Sequence, residues 1–196
     1  MEIYINENKA DITLDTEKIL NDVLTGIENE ITNSGAKIIS INVDGENLNS
    51  KNFDDFAQKN IDEVNELRIS SVYREEINLS FKNIKAAIEG IEENLSNISI
   101  NLQTGKDSQV NKTIVDFADI FDAFCQTVTI FSAFPDEFNA TKIEDKSILD
   151  FLTEFSPLLN DFMDAFEQKD TVMLGDLSEY EILPRLSQIK EFCSKF

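Results

Sequence analysis

The chain has 196 residues, 41% of them apolar and 28% charged, enough for one domain or two small ones around a buried core. Its 38 acidic and 17 basic residues leave a net charge of −21, with no basic patch or run, which excludes duplex DNA, RNA and anionic membrane as partners. The absence of histidine removes Ser-His-Asp and Cys-His nucleophiles, His-bearing zinc sites and the Glu-x-x-His di-iron signature, and six scattered glycines form no phosphate loop.

At the start, Met1-Glu2-Ile3-Tyr4 lacks the charged-then-apolar plan of a signal peptide. Ala123 to Pro135, the longest uncharged stretch in the strongly apolar region, is too short to span a bilayer. Cys125 and Cys193 lie far apart on apolar stretches and read as reduced, buried thiols. The expected location is cytoplasmic.

Ile3 and Ile5 alternate with polar residues, Asn6-Glu7-Asn8-Lys9 has turn composition, and Ile12 and Leu14 alternate again, which predicts a hairpin. A helix is expected next, capped by Asp15 or Thr16, with Leu20, Leu24, Ile27 and Ile31 on one face and an exit at Asn33-Ser34-Gly35. Strand patterning returns at Ile39, Ile41 and Val43, closed by an Asp44-Gly45 turn. Asn49–Val64 reads as irregular and partly helical. A last strand is expected over Glu66–Val72, with Leu67, Ile69 and Ser71 facing one way.

In this order of elements, residues 1–72 resemble the ubiquitin-like β-grasp domains, in particular the small sulfur-carrier proteins. Those carriers end in a free Gly-Gly after the last strand. Here Ile69-Ser70-Ser71-Val72 continues into Tyr73-Arg74-Glu75-Glu76 and a helix, so the resemblance implies the interaction use of the fold and not carrier chemistry.

Residues 73–196 read as helices only. Ile77, Phe81, Ile84, Ile88, Ile91, Leu95, Ile98 and Leu102 recur at alternating steps of four and three, one seam on a single helix. Leaving those eight side chains in water would forfeit roughly 12–24 kcal/mol, so the seam must be covered. Gly90 on this helix would allow a close helix contact or is there by chance. A second helix, near Ser108–Phe134, repeats the steps through Val110, Ile114, Phe117, Phe121, Phe124, Val128 and Phe131, with Pro135 and Asp136 as its stop. A third, near Glu144–Gln168, carries Ile148, Leu152, Phe155, Leu159, Phe162 and Phe166, with Pro157 inside. A fourth, near Thr171–Cys193, carries Leu177, Tyr180, Leu183, Leu186, Ile189 and Cys193, with Pro184 midway. The expected fold is α+β: a small β-grasp-like domain, then an all-α antiparallel four-helix bundle.

Carboxylate pairs are the chemistry left. Asp116, Asp119 and Asp122 are three residues apart, as are Asp161 and Asp164. Such pairs serve Mg²⁺-dependent hydrolases of the all-α nucleotide pyrophosphatase kind, the alternative reading; a chain with 38 acids also produces them by accident. One segment breaks local rules: Asp176, Glu179, Tyr180 and Glu181 stand just before Pro184, whose missing N–H costs an interior helix about 3 kcal/mol. The plain explanation is a kink that wraps the last helix around the bundle with Tyr180 capping the core. The functional one is a recognition surface.

The leading expectation is a non-enzymatic protein–protein interaction module, adaptor or chaperone-like, without catalytic residues, metal or cofactor, that binds a basic or amphipathic protein. The chain itself would be a monomer or a homodimer through helical surface.

Overall fold

The computed structural model describes all residues, Met1–Phe196. The protein is α+β, with a five-stranded mixed sheet and a larger helical part. Two compact units are present, Met1–Ile77 and Asn78–Phe196, and each is taken by itself.

The first unit comprises β1 (Glu2–Ile5), β2 (Asn8–Lys9), α1 (Leu20–Asn33), β3 (Ala36–Val43), β4 (Glu46–Asn47), α2 (Phe53–Ala57), a 3₁₀ turn at Ile61–Glu63 and β5 (Glu66–Tyr73). The sheet order is β2-β1-β5-β3-β4, with β1 parallel to β5 and the other pairs antiparallel. Two tight turns set the hairpins. Asn6 and Glu7 (φ 48° and 64°) and Asp44 and Gly45 (φ 51° and 89°) have the paired positive φ that matches hairpin twist. Each turn is also tied to β5. The Ser71 N–H donates to Asn6 Oδ1 at 2.8 Å, and the Asp44 carboxylate accepts from the N–H groups of Asn65 and Glu66 at 3.0 and 2.8 Å. Leu20, Val23, Leu24, Ile27 and Ile31 of α1 share one core with Ile3, Val43, Leu67 and Ile69 of the sheet.

The predicted second hairpin strand is displaced. β2 ends at Lys9, and Ile12 and Leu14 pack half-buried against the core outside any strand. Their alternation serves packing alone. The helix also starts later than Asp15 or Thr16. The backbone of Lys18 and Leu20 is engaged by Ile61 and Lys59 (3.1 and 2.9 Å), so helical bonding begins only at Leu20. The exit at Gly35 (φ 86°) and the helical turns within Asn49–Val64 are as read.

The helical part contains α3 (Arg74–Ser96), α4 (Ile98–Gln103), α5 (Asp107–Phe131), α6 (Pro135–Ala140), the hairpin of β6 (Lys142–Ile143) and β7 (Lys146–Ser147), α7 (Ile148–Glu167), α8 (Thr171–Leu177), a π-helical turn at Ser178–Ile182, and α9 (Leu183–Cys193). No helix is long and apolar enough to cross a membrane. Of the first seam, every residue from Ile77 to Ile98 is buried. In the second unit, the Phe81 ring has those of Phe192 and Phe196 at 5.3 and 4.4 Å, with Phe124 and Phe131 next to them.

Three local readings give way here, and one of the two alternatives for Gly90 is excluded. The first helix is interrupted at Asn97, whose amide donates to the Glu93 carbonyl at 2.7 Å and competes with the backbone ladder. The break turns the following face, so Asn101 is buried and Leu102 only half-buried. Gly90 makes no close contact; a Cβ there would meet open space. Pro135 does not stop α5, which ends at Phe131; it opens α6, at a position that needs no N–H. Residues 144–147 belong to the β6–β7 hairpin, with Glu144 at φ 52°, and Ser147 caps α7 by accepting the Asp150 N–H at 3.1 Å.

Candidate functional site

Pro184 has no N–H to give, and in a regular α-helix its ring would strike the carbonyl four residues back. The chain avoids that conflict just upstream. Over Ser178–Ile182 the helix widens to a π turn, in which the Leu183 N–H reaches back five residues to the Ser178 carbonyl. Pro184 then lies in the first turn of α9. The wider turn also shifts the apolar phase. The inward positions are Leu174, Ser178, Ile182, Leu186 and Ile189, while Leu177 and Leu183 of the predicted seam are half-buried.

Tyr180 is therefore no cap on the core: it is 66% exposed. The inner side of the segment is fastened instead by small groups. A Cβ on Gly175 would collide with the Ser99 hydroxyl, so the bare glycine is what lets α8 approach α4. Three residues on, the buried Ser178 hydroxyl donates to the Leu95 carbonyl at 2.8 Å, beside the break at Asn97.

With the inner side held, the outer side carries a hollow of about 400 Å³ lined by Asp170, Val172, Met173, Asp176, Leu177, Tyr180 and Glu181. Val172 (71%) and Met173 (42%) are exposed apolar residues there. Asp170 caps α8 by accepting the Met173 N–H at 3.0 Å, and Glu181 pairs with Arg185 at 2.8 Å. Asp176 and Glu179 are exposed and have no cation partner. Of the residues singled out in sequence, Asp176, Tyr180 and Glu181 line this hollow, while Glu179 and Pro184 are exposed near it and outside its lining. Sequence reading missed Asp170, Val172, Met173 and Leu177. The signal was available, since Val172 and Met173 stand eight and seven residues before Tyr180, on the same helical side.

The acidic residues of the alternative reading are scattered. Asp116 pairs with Lys112 at 2.6 Å, Asp122 accepts from Gln126 at 2.6 Å, and Asp119, Asp161 and Asp164 are exposed. No three carboxylates or thiols of the chain are grouped so that they could hold a metal ion.

Residues 80–192, more than half of the chain, match the family described as Domain of unknown function (DUF8042), and residues 1–72 match the TP0873 N-terminal domain. An uncharacterized protein of Treponema pallidum (strain Nichols) is 23% identical over 191 residues, covering 97% of this chain and 95% of its own. No solved structure matches the chain.

Proposed function

The chain belongs to the family described as Domain of unknown function (DUF8042), and from that premise we infer that it is a non-enzymatic protein–protein interaction module, an adaptor or chaperone-like protein. One observation carries this reading: the outer face of residues 170–181 gathers Val172, Met173, Leu177 and Tyr180 around one hollow, with acids beside them. Exposed apolar side chains grouped in this way mark contact surfaces more often than isolated ones do. Tyrosine and methionine suit such a surface, one as a rigid amphipathic anchor and the other as an adaptable filler.

The finer architecture belongs to the same proposal. The first unit is read as a β-grasp, supported by its hairpin–helix–strand order and by the pairing of the first strand parallel to the last. The helical part is read as an antiparallel bundle of four helices, supported by the burial of the first seam from Ile77 to Ile98 and of Val110, Ile114, Phe117, Phe124, Val128 and Phe131 in the second. β5 passes at Tyr73 into α3 at Arg74, which suits docking and leaves no free carboxyl terminus at that strand. The partner is taken to be a protein, and the compartment the cytoplasm.

A peptide-display selection tests the reading. Clones enriched on the wild-type protein are counter-screened on a Val172→Ser/Tyr180→Ser double variant. Clones that need both side chains support a docking surface. If every enriched clone binds the double variant as well as the wild type, the surface is not one.

A further inference from the structure

The side chains of the hollow stand in two rows. Val172, Asp176 and Tyr180 follow at steps of four residues, and Met173, Leu177 and Glu181 run beside them. Rows of that spacing leave a groove into which the ridge of another helix can be set. The groove is about 13 Å long at roughly 1.5 Å per residue, the reach of some two and a half helical turns.

Backbone chemistry favours a helical occupant over an extended one. The floor of the groove is itself helix, with its N–H and C=O groups bonded along its own axis. An extended segment laid on it would find no ladder for its backbone, whereas a helix arrives with those bonds made. Charge selects among helices. Arg185 occupies Glu181, yet Asp176 and Glu179 have no cation in the chain to meet them. The molecule around them carries a net −21. Nucleic acid and a second copy of this chain would both bring negative charge to negative charge.

Taking the hollow as a docking surface, we propose that its occupant is a basic amphipathic α-helix of another protein. Large apolar side chains at i and i+4 of that helix enter between Val172, Met173, Leu177 and Tyr180. Lys or Arg along one edge of its apolar stripe meets Asp176 and Glu179.

Fluorescence anisotropy with three designed peptides tests this. The first is a labelled Leu/Lys/Ala helix with leucines at i, i+4 and i+7. The second carries glutamate at every lysine position, and the third keeps the composition with its apolar stripe shuffled. The first should bind one to one, and the other two at least about tenfold more weakly. Val172→Ser/Tyr180→Ala should weaken the first peptide by about tenfold or more. Asp176→Asn/Glu179→Gln should weaken it and reduce its salt dependence. Asp54→Asn/Asp55→Asn, with the same charge change elsewhere, should leave it unaltered. Equal binding of the first and third peptides, or wild-type affinity in both hollow variants, overturns the proposal. If the glutamate helix binds instead, and Val172→Ser/Tyr180→Ala abolishes that binding, the docking surface stands and the basic helix falls. If no peptide depends on Val172 and Tyr180, both fall.

Discussion

The Ser178 hydroxyl donates to the Leu95 carbonyl across 83 residues of sequence, in a buried setting. That bond joins the two local irregularities of the helical part, the break at Asn97 and the π turn before Pro184. Removing the donor strands a buried acceptor, which costs about 1–3 kcal/mol. Ser178→Ala should lower the unfolding free energy by that amount, read as a lower urea midpoint with an unchanged slope, and Ser178→Thr should recover part of it. An unchanged midpoint in Ser178→Ala would mean that water or a shifted backbone replaces the bond.

Two helical glycines should respond with opposite sign. Gly90 is exposed in the interior of α3 with open space at its Cβ, so Gly90→Ala should stabilise by about 0.5–1 kcal/mol through helix propensity. Gly175 faces Ser99, and Gly175→Val should destabilise by about 1–3 kcal/mol as the helices are forced apart. Thermal denaturation of the two variants gives both signs directly.

Phe81 is fully buried, with the rings of Phe192 and Phe196 against it. Truncation removes its own transfer energy and leaves a cavity between rings that cannot all collapse inward. Phe81→Ala should cost about 3–5 kcal/mol in a denaturant titration. A loss below about 1 kcal/mol would contradict the burial of this ring, since the transfer term alone, lost even if the other rings repack, exceeds that.

Burial pushes the Cys193 thiol up to about 12, with Lys85 acting weakly in the opposite direction. At pH 8 the native thiol should therefore react with Ellman's reagent only through unfolding, and added urea should speed that reaction. The folded pKa lies above the unfolded one, so this group's contribution is complete below about pH 8.5 and is lost as pH rises towards about 12. Between pH 8 and 10 the wild type should lose more stability than Cys193→Ala does. Parallel losses in the two would place the thiol in water.

Much of the architecture was legible because burial repeats with period. The seam from Ile77 to Ile98 is buried as spaced, and Leu67 and Ile69 face the sheet core as alternation requires. What periodicity could not carry were the events that reset its phase. Asn97 bends its amide onto Glu93 and turns Asn101 inward, and the extra residue of the π turn moves the buried position from Leu177 to Ser178. The same shift sends Tyr180 outward. A proline midway in the last helix was visible; how the turn ahead of it would absorb the missing bond was not. For the hollow, the acids and Tyr180 drew notice because they break a pattern, while Val172 and Met173 looked like ordinary helix residues.

A photo-crosslinking amino acid placed at Tyr180, compared with the same residue at Val115, addresses the docking claim most directly, since both positions are well exposed on helices of the same unit. The account predicts a discrete protein adduct from Tyr180 that is absent from Val115, maps to a basic amphipathic helix of the partner, and disappears on Val172→Ser. Adducts identical at the two positions, or none at Tyr180, would contradict it.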